Sequence, residues 1–296
     1  MKGLFKILIF SGLAVLTAGN RWAFSANSEG AQPSVDPTPE AGGEHFRWET
    51  EHGPVHLWLP ENYDPRTAGT VIYVHGYHTT VDQSWMNDDL AAQFRESGRN
   101  ALFIAVPAPQ SNAEDVSWKS LQDLLNSIEE RAPFALPGGP LVVAGHSAAY
   151  RTILSWLHDP RIQDLILLDG LYAGQAEFHY WLSSHQLLKP HRMVLVSSHT
   201  WRQSNQFARH TYGSVRRGSI PANASSFTPR ETHAPLLYLR SQYNHDAMIR
   251  GGRVIPVLLQ IMPLRALDTG EPRQVMATQN ARCWRPPCKA TRLLPQ

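Results

Sequence analysis

From Thr70 to Leu239 the chain reads as short, unbroken apolar runs separated by segments whose apolar residues recur every three to four positions. The runs are Thr70–Val74, Ala101–Val106, Leu141–Ala144, Leu165–Leu168, Met193–Val196 and Leu236–Leu239. Apolar runs of this length without polar alternation predict strands covered on both faces, as a parallel sheet requires. Between them, Leu121, Leu124, Leu125 and Ile128 fall on one helical stripe, as do Tyr150, Ile153, Leu154 and Leu157. Val254, Val257, Leu258 and Ile261 repeat that spacing near the end. Upstream, residues 46–59 alternate apolar and polar on either side of Gly53-Pro54, which predicts a β-hairpin. Strand and helix in regular alternation behind a hairpin predict an α/β domain: a doubly wound, mostly parallel sheet with an antiparallel N-terminal edge.

The two ends depart from this pattern. Lys2 and Lys6 precede an apolar stretch, Ile7–Ala18, followed by small residues suited to signal-peptidase cleavage around Thr17-Ala18-Gly19 or Ala23-Phe24-Ser25. Residues 1–26 therefore read as a signal peptide, with an uncleaved membrane anchor as the alternative, and 27–43 as a Ser/Pro/Gly/Glu-rich flexible linker. The globular domain is expected over 44–264 and a polar tail over 265–296. The two cysteines, Cys283 and Cys288, flank Trp-Arg-Pro-Pro in that tail. In an oxidising compartment they are placed to close a small disulfide loop.

Composition narrows the function classes. With 296 residues, 42% of them hydrophobic and 18% charged, the chain has the material for one large core. A formal net charge of +2 without an interior Lys/Arg stripe argues against nucleic acid as a partner. No further apolar run reaches the length of a membrane span. A secreted or periplasmic protein is expected, from a bacterium by the character of its leader. Oligomeric state is not written in the sequence.

The chemistry concentrates at Leu141-Val142-Val143-Ala144-Gly145-His146-Ser147-Ala148-Ala149-Tyr150. A buried strand runs into Gly-x-Ser-x-Ala and then into an amphipathic helix. On such a turn the serine oxygen projects above the sheet, and small residues two before and two after it let helix and strand approach. The helix start also aims N–H groups at the site, where they favour developing negative charge.

These residues, with Val71-Ile72-Tyr73-Val74-His75-Gly76-Tyr77, resemble the α/β-hydrolase superfamily over roughly residues 46–264. The resemblance implies Ser147 as nucleophile and an oxyanion hole built from the backbone N–H groups of Tyr77 and Ala148. It makes His75 a structural residue of its loop. Ala149 stands where the family commonly has glycine. In the family's chain order the base follows the nucleophile, and His245, on the polar loop after Leu236–Leu239, fits that place. His233 precedes that strand, and His179, His185 and His210 fall in helical or connecting segments. The family's usual acid position, after Met193–Val196, reads Ser197-Ser198-His199-Thr200, without a carboxylate. One strand earlier Asp169 follows Leu165–Leu168, and some members carry the acid there, so Asp169 is the expected orienter of His245.

The segment after Asp169 is aromatic, and Tyr172 and Trp181 are candidates to line the substrate pocket. Arg192, Arg202, Arg216 and Arg217 are candidate anion contacts. No metal or organic cofactor is implied. The expectation is an exported serine hydrolase that cleaves an ester or amide, of a small molecule or a polymer, through an acyl-enzyme. The alternative is a non-catalytic binding protein of the same fold in the cell envelope, for which the missing carboxylate after Met193–Val196 is the main support.

Overall fold

The computed structural model describes residues 36–184 and 190–268. The proposed signal peptide and the Cys283–Cys288 loop lie outside the described residues. In chain order the elements are β1 (Thr38–Glu40), β2 (Gly43–Thr50), β3 (Gly53–Pro60), β4 (Gly69–Val74), α1 (Val81–Asn87), α2 (Leu90–Ser97), β5 (Ala101–Val106), α3 (Leu121–Glu129) and β6 (Leu141–His146). They continue with α4 (Tyr150–Trp156), β7 (Ile162–Leu168), α5 (Gln175–Ser183), β8 (Arg192–Ser197), α6 (Trp201–His210), β9 (Val215–Arg217), α7 (Pro229–Thr232), β10 (Leu236–Arg240) and α8 (Ile255–Leu259).

One sheet takes all ten strands in the order β1-β2-β3-β5-β4-β6-β7-β8-β10-β9. From β5 to β9 every neighbour is parallel, while β1, β2 and β3 join antiparallel at one edge. This is the expected doubly wound sheet with its antiparallel N-terminal edge. Every residue of β4, β5 and β6 is buried, which explains their unbroken apolar sequence. Side chains alternate between two cores. Ile72 and Val74 pack with residues of α3, α4, α5 and α6, whereas Val71 and Tyr73 pack with residues of α1, α2 and α8.

The ordered sheet starts earlier than the sequence suggests. β1 and the first residue of β2 fall inside the 27–43 stretch read as linker. Glu40 is tied to the domain by His45 Nδ1 at 2.7 Å and by the Trp85 indole N–H at 3.0 Å. Such long-range polar ties leave no trace in local composition. Helix α8 is shorter than its apolar stripe, covering Ile255–Leu259 with Val254 as its N-cap and Pro256 in its first turn. Among the described residues no helix is long and apolar enough to cross a membrane.

The winding reverses at the centre of the sheet. The chain leaves β4 through α1 and α2 to reach β5 on one side, then returns over α3 to β6 on the other. The carboxyl ends of β4 and β6 therefore sit side by side, with Val74 opposite Gly145. A crevice outside the carboxyl ends at such a reversal is where open α/β sheets bind ligands.

Candidate active site

Ser147 sits on the turn between β6 and α4 with φ of 56°, a left-handed conformation that costs a serine roughly 1–3 kcal/mol. The surrounding packing holds it there. A Cβ on Gly145 would stand 2.6 Å from Ile153 Cδ1 and 2.8 Å from the Ala149 Cβ, so any larger residue forces its neighbours to shift. Because residue 149 carries its methyl group without a clash, the pair tolerates one alanine, and Ala149 is accommodated. Gly76, across the crevice, is equally constrained, since its Cβ would lie 2.8 Å from Ser147 Cβ.

Three side chains from three strand ends meet in one hydrogen-bond series. Ser147 Oγ lies 2.9 Å from His245 Nε2, and His245 Nδ1 lies 2.7 Å from Asp169 Oδ2. Asp169 follows β7 and is fully buried, also with positive φ (46°). Its Oδ1 accepts from the backbone N–H groups of Ser198 and Thr200 and from the Thr200 hydroxyl, at 2.8–2.9 Å. Its Oδ2 accepts from the His199 N–H at 2.9 Å as well as from His245. Burial alone would raise this carboxyl, but the hydrogen bonds from His245, Thr200, His199 and Ser198 outweigh it and hold the pKa well below the usual carboxylate range. Asp169 is thus a fixed anion, and His245 must present Nδ1–H to it and a lone pair on Nε2 to Ser147. The loop after β8, which has no carboxylate of its own, supplies backbone N–H donors to the one arriving from β7.

Two histidines that sequence reasoning passed over flank His245. His146 is tilted against it at 4.4 Å between ring centroids, and its Nε2–H donates to the His245 carbonyl at 3.0 Å. Burial, and then the neighbouring His245, lower its pKa to about 3, so it is a neutral strut. On the other side His199 stacks parallel at 5.1 Å, with 5° between ring planes. The position of His146, next to the nucleophile, was a usable signal; nothing in the sequence brings His199 to His245. Asp169, His199 and His245 place one potential ligand atom each within 4.8 Å of one another. As a metal centre the set is poor. Both Asp169 oxygens are already occupied by donors, and the parallel rings direct their in-plane lone pairs along parallel planes rather than towards one point.

The loop after β4 is braced by two histidines. His75 is buried, its Nδ1–H donating to the Gly76 carbonyl at 2.7 Å and its Nε2 accepting from Ala108 N–H at 3.0 Å. Desolvation lowers its pKa, which keeps it a neutral brace, as read from the sequence. His78 N–H is taken by the Gln110 carbonyl at 2.9 Å, while the Tyr77 N–H has no backbone partner in the described loops. Ala148, in the first turn after Ser147, carries one of the N–H groups that a helix start leaves without an internal acceptor. Both residues line the cavity of about 660 Å³ that holds Ser147 and His245.

Tyr172 lines the same cavity, its ring edge-on to His245 at 6.4 Å. Trp181 does not. It is buried on α5 and stacked on His191 at 4.3 Å, where it lines a separate cavity with Leu154, Leu157 and Tyr180. The aromatic stretch after Asp169 is mostly a helix packed on the sheet, with Phe178 fully buried in the core. The arginine candidates also lie elsewhere. Arg192 faces Asp164 at 3.8 Å, Arg217 pairs with Glu231 at 3.1 Å, Arg202 lies over Trp201 and Arg216 reaches Asn205. His233 bonds to the Pro229 carbonyl beside α7 and does not line the cavity that holds Ser147 and His245.

The sequence matches no family model and no curated protein. Solved structures similar to it include an S-formylglutathione hydrolase from Agrobacterium tumefaciens, at 13% identity over 76% of this chain and 95% of that one, with a TM-score of 0.42. A fluorophosphonate-binding serine hydrolase of Staphylococcus aureus aligns at 12% identity over 74% and 99%, with a TM-score of 0.48. A thermophilic carboxylesterase cloned from a metagenomic library aligns at 12% over 77% and 89%, with a TM-score of 0.46. From β2 onward the strand order, the reversal between β4 and β6, and a Ser, Asp and His on the ends of β6, β7 and β10 give this chain the α/β-hydrolase fold.

Proposed function

We propose that this protein is a serine hydrolase that cleaves an ester or amide through a covalent acyl-enzyme. The observation that carries this reading is the unbroken series Ser147 Oγ–His245 Nε2–His245 Nδ1–Asp169 Oδ2, at 2.9 and 2.7 Å, on a strained nucleophile turn. His245 Nε2 takes the Ser147 proton as Oγ attacks the substrate carbonyl, and the N–H groups of Tyr77 and Ala148 meet the oxyanion. The imidazolium then protonates the leaving alcohol or amine as the carbonyl reforms. Water, deprotonated by the same nitrogen, releases the acid and restores Ser147. Asp169 stays ionised throughout, fixing the tautomer and facing the positive charge that forms on His245.

The chief support for a non-catalytic binding protein was the missing carboxylate after β8. On our reading Asp169 takes that role from the end of β7, held by the same loop, which removes the support for the alternative. The Lys2, Lys6 and Ile7–Ala18 pattern supports placing the enzyme outside the cytoplasm. The reading is tested by fluorophosphonate labelling with mass-spectrometric location of the adduct. Rapid modification of Ser147, abolished in His245→Ala, is expected. Ser147→Ala should fold normally and lose about three orders of magnitude or more in turnover. A folded protein whose Ser147 resists the probe would end the proposal.

A further inference from the structure

The walls around Ser147 carry many polar side chains. Beyond the triad and its histidines, the cavity is lined by Thr79, Ser84, Asn87, Asp88, Asn112 and Arg250, with the rings of Tyr77, Tyr150 and Tyr172 near the nucleophile. The aliphatic side chains in that lining are only Ala148 and Ile249. An acyl chain entering here would meet the tyrosine rings and Ile249, but it would strip water from Asp88, Arg250 and the amides without replacing their hydrogen bonds.

Asp88 is the decisive residue. Its side chain is 4% exposed, yet it borders the cavity. Oδ2 accepts from the Ser84 hydroxyl at 2.6 Å, and Oδ1 meets Arg250 Nε at a long 3.3 Å. A carboxylate offers about four acceptor positions, so two remain for a ligand. Burial raises the Asp88 pKa against the lowering effect of its bonds from Ser84 and Arg250. Arg250 has a side chain 59% exposed, and Nε is the only one of its nitrogens bonded among the described residues. Inside the cavity the Asp88 carboxylate and the Arg250 guanidinium offset each other, while the further charge of Asp246, which Asp88 also feels, sits at the solvent-exposed rim. What they match is a neutral group that both donates and accepts hydrogen bonds, such as adjacent hydroxyls.

We propose that the cavity takes a neutral, polyhydroxylated moiety, with Asp88 accepting from and Arg250 donating to neighbouring hydroxyls, so that the substrate is an ester of a carbohydrate or similar polyol. This rests on the serine-hydrolase reading above. The tyrosine rings suit the apolar face of a sugar, and Asn87 and Asn112 add further donors and acceptors at the mouth. Asp246 stands at the exposed rim.

The test compares kcat/KM for a monoacetylated methyl glucoside and an acetylated xylobiose with that for hexyl acetate. A p-nitrophenyl series from acetate to octanoate is run beside them. The sugar acetates should exceed hexyl acetate by about tenfold or more, as expected when buried polar groups lose their partners in the analogue. Asp88→Asn and Arg250→Ala should each cut the ratio of sugar-acetate to p-nitrophenyl-acetate kcat/KM by about 10–100-fold, the range for hydrogen bonds to charged groups. Fluorophosphonate labelling of Ser147 in each variant checks that it is folded. Activity that instead climbs about fourfold per methylene along the p-nitrophenyl series, or a ratio that neither variant moves, would overturn the proposal. Calorimetry with the sugar acetates and the Ser147→Ala protein separates the two readings. Absence of binding overturns the polyol assignment even if Ser147 labels, whereas binding by a chain whose Ser147 does not label supports it and sinks only the hydrolase reading.

Discussion

Replacing Asp169 with asparagine isolates the tautomer from the fold. The two side chains have nearly the same shape, but the carboxylate accepts five hydrogen bonds and the amide has one oxygen to offer. Three of the five converge on Oδ1, so the amide oxygen will take that position and the NH₂ group will replace Oδ2. It then faces two donors, the His199 N–H and His245 Nδ1–H. The backbone donor cannot turn away, which costs about 1–3 kcal/mol of stability. His245 can respond by moving its proton to Nε2, and that nitrogen no longer accepts from Ser147. The expected loss in kcat is about 10⁴-fold, or roughly 5.5 kcal/mol of transition-state stabilisation. For a domain of this size the stability cost corresponds to a drop in Tm of roughly 2–12 °C. The assays are thermal unfolding by circular dichroism and turnover of p-nitrophenyl acetate, with the His245 ring protons followed by NMR. A folded Asp169→Asn protein that keeps more than about a tenth of wild-type kcat would refute the argument, and so would a Nδ1 proton that survives the substitution.

Two further predictions test the packing and the electrostatics around the nucleophile. Gly145→Ala should destabilise the protein by about 1–3 kcal/mol and slow fluorophosphonate labelling, because the new methyl meets Ile153 and Ala149; Ala149→Gly should leave the fold intact. Urea unfolding together with labelling rates decides this, and a Gly145→Ala protein as stable and reactive as wild type would sink it. The second concerns acid stability. His146 has a folded pKa of about 3 against about 6.5 unfolded, so its stabilising contribution is complete above pH 6.5 and is lost as pH falls towards 3. At about 1.4 kcal/mol per unit this amounts to roughly 3–5 kcal/mol over the window. His146→Asn should therefore show a flatter decline than wild type between pH 6.5 and 4, and parallel declines in urea titrations at several pH values would contradict it.

The main strands were legible because each is buried on both faces, so burial is written directly into contiguous sequence. β6 illustrates the limit of that signal. Its apolar run stops at Ala144, but the strand continues through Gly145 and His146 because they pair with Leu167 and Leu168 of β7. β1 and β9 were not legible at all. Both are three-residue edge strands with too little apolar sequence to stand out, Val215 being the one aliphatic residue, and they exist because a neighbouring strand offers free hydrogen-bonding groups. The same division runs through the site. Ser147 announces itself by strand, turn and helix within ten residues, since the strain on a nucleophile turn demands local small residues. Asp169 and His245 were reached only through the order of strands, because what joins them is 76 residues apart along the chain. The fourth component, the row of N–H donors at Ser198, His199 and Thr200, lies beyond sequence reasoning altogether, because any residue but proline supplies a backbone N–H. On the proposed reading, that row lets Asp169 serve from the end of β7, where the resemblance leads one to expect a carboxylate after β8. The base needs an anion at a fixed point, and either of two adjacent strand ends can provide it when the other provides the donors that hold it.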